Sequence, residues 1–387
     1  MISLVLDERS EAFRKDFSKW LHANPAPQLP TNVSLDEFVA RSAEWQRKLA
    51  EGRWIAVHWP EQFGGRGLSL VEEAISQELL ANVNSPQLIN LFGLTMIGPV
   101  LIAHGTDAQR DRFLQKILTA EEIWCQGFSE PEAGSDLASL KTVAELSDDK
   151  QVWKIRGQKV WTSFAQYASY CFLLARSDST VAKHEGLTYF LVEMKQPEIT
   201  VRPLTQISGD REFNEVFFDG AQAPQTGVVG KPGEGWKIAI STLMYERVVL
   251  TFQRHLQSET ALTDLAKILS TDGRINDGDA SGFGRLVARS MAVRALALSH
   301  LLEYSQGKRP GPEGSLDKLF WSETFQEICE KAVEELGAEG ILLSEDAPFG
   351  GAIMHRHLYS RGRTIAAGTS EIQRNIIGER VLGLPKS

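Results

Sequence analysis

A chain of 387 residues is long enough for two or three packed units with large cores. Hydrophobic residues make up 42% and charged residues 24%, the balance of a soluble globular enzyme. The formal charge of −9 argues against a nucleic-acid partner, because a phosphate backbone needs a basic face, but leaves small anionic ligands open.

The N-terminus, MISLVLDERSEAFRKDF, carries charges from Asp7 onward and reads as an amphipathic helix, not a signal peptide. From the start to about Ile123, apolar residues recur at helical spacing, as in EAFRKDFSKWL and EFVARSAEWQRKLA. Ala81 to Thr106 contains no acid, Lys or Arg. Its Asn82, Asn84, Pro86, Gln87, Asn90 and Pro99 predict a buried helix pair and no membrane span. Between about Trp124 and Pro232 the texture changes to short β-rich runs, VWKIRG, KVWTS, YCFLLAR, LTYFLVEM and NEVFFD, separated by turn clusters such as SDDK and FDGAQAP. From Gly233 the helical period returns in WKIAISTLMYERVVLTF, LVARSMAVRALALSHLLEY and KLFWSETFQEICEKAVEEL. Ser270 to Gly284, STDGRINDGDASGFG, is predicted as a polar loop between helices. The expected class is α+β: an N-terminal helical domain (1–123), a small middle barrel or sheet (124–232) and a C-terminal helical bundle (233–387). The β region is too short, and lacks the βαβ alternation, for a doubly wound sheet. Cys125, Cys171 and Cys329 match no metal or redox spacing, so reduced buried thiols in a cytoplasmic protein are expected.

Two polar stretches stand out. GFSEPEAGSD, Gly127 to Asp136, is a turn rich in backbone donors: Glu-Pro stops a helix, while Gly134 and Ser135 let the chain pass close to a ligand. Alone it could equally be a loop that caps a strand. Further on, QKVWTS ends a strand with an indole and two hydroxyls, the wall a large flat cofactor needs. Near the C-terminus, Ser370 with Gln373 has capping-box spacing and predicts a helix from Glu371 to Val381, whose free amides suit a phosphate. A well-capped structural helix is the alternative.

SEPEAGSD, KVWTS, EFNEVFFD and RTIAAGTSEIQR follow one another in the order and spacing of the acyl-CoA dehydrogenases, which the chain resembles over essentially its whole length. The resemblance implies FAD, an α–β–α fold ending in a four-helix bundle, and oxidation of a CoA thioester between Cα and Cβ. It further implies that Phe128 and Ser129 face the flavin ring, that Trp161, Thr162 and Ser163 line its other flank, and that Thr369 and Glu371 approach the ribityl-phosphate part. Ser135 would lie near the pantetheine arm.

One position departs from the medium- and short-chain members. Their base, a glutamate before Gly-Thr-Ser, is replaced here by Ala367. Either the copy is inactive or another carboxylate serves. In the branch that includes the isovaleryl- and long-chain enzymes this glutamate comes from an earlier helix, and LMYERVVL places Glu246 at the corresponding point. Its neighbours at helical spacing, Thr242, Leu243, Val249 and Leu250, carry no charge. Glu246 would abstract the α-proton while flavin N5 accepts the β-hydride. A structural pairing of Glu246 with Arg247 is the alternative, and Arg247 is itself a candidate for orienting substrate. Glu371 is the poorer base because the capping turn wants an acid there anyway.

Two further departures concern the adenine end of FAD. LAKILSTDGRINDG lacks the family's Arg-x-x-Phe-Gly, and EELGAEG puts Glu334 and Ala338 where Gln-x-x-Gly-Gly is usual. The resemblance to actinobacterial steroid-degradation enzymes then implies a heterotetramer with a paralogous subunit, or else a homo-oligomer, with an electron-transfer flavoprotein as acceptor. A noncatalytic partner subunit and an oxygen-using acyl-CoA oxidase are the other readings. Gly93 and Gly98, in LINLFGLTMIGPVLIAHG, either leave room for a bulky, steroid-derived acyl group or mark close helix packing. FGGRG (Phe63 to Gly67) follows no predicted strand, GFGRLV lacks the dinucleotide fingerprint, and His355 with His357 suits no helical metal site, so no metal is expected.

Overall fold

The computed structural model describes residues 6–29, 33–270, 277–308 and 310–386, without the side chains of 246–252 and 277–279. The helices are α1 (Glu8–Ala23), α2 (Leu35–Glu51), α3 (Leu70–Asn82), α4 (Gly98–His104) and α5 (Asp107–Leu118), then α6 (Gly235–Ser270), α7 (Asp277–Ser305), α8 (Gly314–Leu336), α9 (Ala352–Arg363) and α10 (Ser370–Ile376). Between α5 and α6 run β1 (Trp124–Gly127), β2 (Val143–Leu146), β3 (Val152–Lys159), β4 (Tyr170–Arg176), β5 (Leu187–Glu193), β6 (Ile199–Pro203), β7 (Asn214–Pro224) and β8 (Val228–Val229). Helix starts have local causes. The side chains of Asp7 and Ser34 accept the amides of Ser10 and Glu37, and Thr106 with Gln109 and Ser69 with Glu72 form capping boxes. Among the described residues no helix is long and apolar enough to cross a membrane.

By packing, the chain divides into two compact units: a sheet unit, Ser34–Leu68 with Pro86–Glu246, and a helical unit, Met1–Val33 with Ser69–Ser85 and Arg247–Ser387. In the sheet unit the strands form one mixed sheet in the order β6-β7-β3-β2-β4-β5-β8, with β1 added in parallel to β4. Alternation builds its core: Trp153 and Ile155 of β3 and Val216 and Phe218 of β7 point inward. Opposite Ile155 and Arg156, β7 carries an extra residue, Gly220, at φ 88°. This bulge resets the phase, so Ala221 and Ala223 again face the core. VWKIRG and KVWTS are not two strands, as predicted, because β3 runs unbroken to Lys159 and leaves Trp161 to Ser163 beyond its end.

The uncharged stretch also differs from the predicted helix pair. Residues 91–104 form one helical run with a π-turn at Gly93–Ile97. Pro99 has no N–H for the carbonyl one turn earlier, and the Gly98 amide bonds Gly93 O instead. The two glycines are packing sites: a Cβ on Gly98 would lie 2.2 Å from Trp59 Cζ2, and one on Gly93 2.5 Å from Asn90 Oδ1. Neither leaves room for an acyl group at its own Cβ. Asn90 and Gln46 form a buried polar hub. Asn90 Nδ2 donates to the carbonyls of Ile117 and Glu122, its Oδ1 accepts the Trp124 amide, and its own amide bonds Gln46 Oε1. This hub fixes where β1 starts.

The helical unit packs α8 against α7, α9 and α10, around Leu265, Val293, Trp321, Phe325 and Ile328. Buried Arg294 ties α7 to α6 and α3 through His255, Glu259 and Glu78. The predicted loop 270–284 is helical from Asp277 onward, and residues 271–276 lie outside the described residues. In FGGRG the Arg66 guanidinium lies 3.7 Å over the Trp54 ring, and the segment follows no strand. His357 lies on α9 and shares a hydrogen bond with Arg361.

On α8, Lys318 is 2% exposed and its Nζ has no hydrogen-bond partner among the described residues. Burial, with Arg254 adding repulsion, pulls its pKa from 10.5 to about 8. Below pH 8 the fold therefore holds a charge it disfavours. Between about 8 and 10.5 the unfolded chain binds more protons than the folded one, so stability rises with pH. Lys318→Met is expected to stabilise the protein by about 1–2 kcal/mol near neutral pH, solvent screening included. The gain should shrink as pH approaches 10.5 in urea unfolding, and a gain independent of pH would contradict the assignment.

Candidate active site

The sheet unit carries the first group of candidates. Phe128, just past β1, keeps its ring inside: it is 4% exposed and edge-on to Phe172 and Tyr189 at 5.8 and 6.0 Å. Its ring is packed in the core and not open to a ligand. Ser129 is half-buried, and its carbonyl accepts the Val160 amide at 2.9 Å. Gly134 and Ser135 lie in the exposed turn, where a Cβ on Gly134 would meet nothing within 4 Å.

Beyond β3 the chain takes a left-handed step at Trp161, φ 61°, which leaves the indole 59% exposed and edge-on to Phe213. Thr162 is 1% exposed, and Asn214 brackets it by accepting the Thr162 amide at 3.1 Å and donating Nδ2 to the Thr162 carbonyl at 2.9 Å. The Thr162 hydroxyl has no partner among the described residues. Ser163 is half-buried.

Lys159, at the end of β3, joins the two stretches. Fully buried, its Nζ donates to Phe128 O at 3.0 Å and to Glu130 Oε1 at 2.8 Å. The Glu130 carboxylate also accepts the amides of Lys141 and Thr142, at 2.6 and 2.8 Å. Burial pushes the Glu130 carboxyl up, but Lys159 and these donors hold it below the usual range; burial pulls the Lys159 ammonium down against the attraction of Glu130. The two side chains form a buried ion pair at 2.8 Å. Sequence reasoning missed Lys159, Glu130 and Asn214. The inward phase of β3, set by Trp153 and Ile155, is the signal that could have found Lys159.

Glu246 and Arg247 lie on α6, but their side chains fall outside the described residues. One turn earlier, buried Thr242 bonds Tyr189 Oη at 3.2 Å. In the helical unit, Ala367 is exposed at φ 56°. The Gln373 side chain donates to the carbonyls of Ala367 and Gly368 at 2.9 and 3.2 Å. The cap of α10 is Thr369, not Ser370: Thr369 is extended and its hydroxyl accepts the Ile372 amide, while Gln373 turns back to the loop instead of completing a box. The helical path continues to Val381 as a π-turn from Ile377. Exposed Glu371 is held below the usual carboxylate range by its own amide and the Thr369 hydroxyl.

Family models for the acyl-CoA dehydrogenase N-terminal, middle and C-terminal domains match residues 7–121, 125–221 and 233–382. An acyl-CoA dehydrogenase of Mycolicibacterium smegmatis, IpdE1, is 39% identical over 391 residues, covering 97% of this chain and 98% of its own. The chain belongs to the acyl-CoA dehydrogenase family. It is thus an oxidoreductase with the family's order of N-terminal helices, middle sheet and C-terminal helices. The solved Tcur3481–Tcur3483 steroid ACAD matches with a TM-score of 0.87 at 24% identity, and the ChsE4–ChsE5 complex from Mycobacterium tuberculosis with 0.85 at 25%; each covers 100% of both chains.

Membership in the acyl-CoA dehydrogenases implies a flavin, and the sheet unit suits one. A buried hydroxyl without a partner, an indole held outward and the half-buried Ser129 are what a planar, heteroatom-edged ring would meet.

Proposed function

We propose that the chain is an FAD-dependent dehydrogenase that forms a double bond between Cα and Cβ of an acyl-CoA thioester, with Glu246 as the base. The observation that carries this reading is a substitution paired with a candidate replacement. Position 367 bears only a methyl group on a left-handed, exposed backbone, while Glu246 on α6 has no charged neighbour at helical spacing. Bound flavin supplies the hydride acceptor. Backbone groups of Phe128 and Ser129 and the Trp161–Thr162–Ser163 run would hold its ring, Thr369 and Glu371 its ribityl-phosphate part. Gly134 and Ser135 would leave the turn open to the pantetheine arm, and Arg247 would orient the thioester.

The acyl group is bulky and steroid-derived in this reading, supported by the relative described as a steroid ACAD. A paralogous subunit completing the FAD site is supported by the relative described as a ChsE4–ChsE5 complex. It is supported too by the helical unit, where Ile341, Leu343, Ile365, Leu382 and Leu384 are each more than half exposed and Glu334 faces solvent. An electron-transfer flavoprotein would accept the electrons.

The test is expression alone and together with neighbouring paralogues. Expected are less than one FAD per chain alone and, for the assembled protein, anaerobic bleaching of the flavin band by a steroid-derived acyl-CoA. One tightly held FAD per chain alone removes the heteromer. Flavin that no CoA ester bleaches makes the chain a noncatalytic partner, and oxygen uptake without an electron-transfer protein makes it an oxidase.

A further inference from the structure

We infer that Lys159 is a positioning residue for the flavin: its buried pair with Glu130 sets the spacing between the Phe128–Ser129 turn and the Trp161–Thr162–Ser163 run. The inference rests on the flavin reading above and adds the device that holds the ring's two protein flanks in register.

The geometry is specific. The Lys159 ammonium bonds the Phe128 carbonyl and the Glu130 carboxylate at once, so it grips the first segment on both sides of Ser129. The next residue along, Val160, donates its amide to the carbonyl of Ser129 itself. Trp161 and Thr162 follow directly, so any shift of Lys159 moves both flanks relative to each other. The far side of the clasp is equally tied down. Glu130 accepts the amides of Lys141 and Thr142 and exchanges backbone bonds with Ala133.

Stability alone does not require such a pair. Taking two charges out of water costs about what their attraction returns, and neutral replacements of similar volume are often as stable. Removing only one partner is different, because it strands the other charge. A paired replacement therefore separates holding the fold from holding the register.

The experiment uses the full-length protein, with its co-purifying paralogue where one is needed for flavin uptake. Lys159→Met should lose both stability and flavin. The double variant Glu130→Gln with Lys159→Met should still fold and melt above Lys159→Met, although the glutamine oxygen can accept only one of the Lys141 and Thr142 amides, yet bind FAD at least tenfold more weakly than the parent and lose the fine structure of its flavin absorbance band. A double variant that folds and matches the parent in FAD affinity and band shape overturns the inference and leaves the flavin reading intact. A parent that takes up no flavin in any assembly overturns both. Lys159→Arg, which keeps the charge but displaces its donors, is the check should both Met variants fail to fold: unchanged FAD affinity in it also overturns the inference.

Discussion

Glu246→Gln is expected to bind flavin and acyl-CoA as the parent does and to bleach the flavin on the order of 10²- to 10⁴-fold more slowly, equivalent to ~3–5 kcal/mol of barrier. The amide keeps the size and hydrogen-bonding reach of the carboxylate but cannot take a proton. Anaerobic stopped-flow reduction isolates that step from the electron acceptor. Equal rates in parent and variant would show that another group is the base. Glu371→Gln is the control. That carboxylate is stabilised in its charged form by its own amide and the Thr369 hydroxyl, which makes it a weak base, so in protein matched for flavin content its loss should slow reduction far less than the loss of Glu246.

Asn90→Ala should destabilise the protein by about 2–6 kcal/mol, since it strands the carbonyl of Glu122 and the amide of Trp124 in the interior, at about 1–3 kcal/mol each, while the Ile117 carbonyl keeps the Gln46 side-chain amide. Asn90→Asp should be nearly as damaging, because a carboxylate cannot donate to the two carbonyls. The urea midpoint reads the effect. A loss below ~1 kcal/mol in the alanine variant would mean that water replaces the amide.

The elements that were legible in advance are those whose signal is local. EAFRKDFSKWL and EFVARSAEWQRKLA repeat apolar residues at helical spacing and form α1 and α2. YCFLLAR and LTYFLVEM are apolar runs bounded by turns and form the paired strands β4 and β5. What was not legible depends on residues distant in the chain. Gly98 reads equally as open space or as a packing site until Trp59 is seen to fill it. DGDASGFG has the composition of a loop, yet it opens α7, where the buried Leu286 that follows anchors the helix to its neighbours and outweighs propensity. At the candidate site, Phe128 and Trp161 were read as residue types, whereas their orientation follows from the aromatic cluster around one and the left-handed backbone at the other. The partnership of Lys159 with Glu130 needs the inward phase of β3 and the turn after β1 to be known together.

The backbone at Trp161 has a bearing on how the protein is made. A left-handed conformation costs a bulky side chain about 1–2 kcal/mol, and an indole that stays 59% exposed recovers only part of what full burial would give. With the indole against flavin as proposed above, a newly synthesised molecule without flavin keeps both the strain and the exposed ring at this corner. Growth conditions that starve cells of vitamin precursor should lower the yield of soluble protein before they lower its activity per molecule.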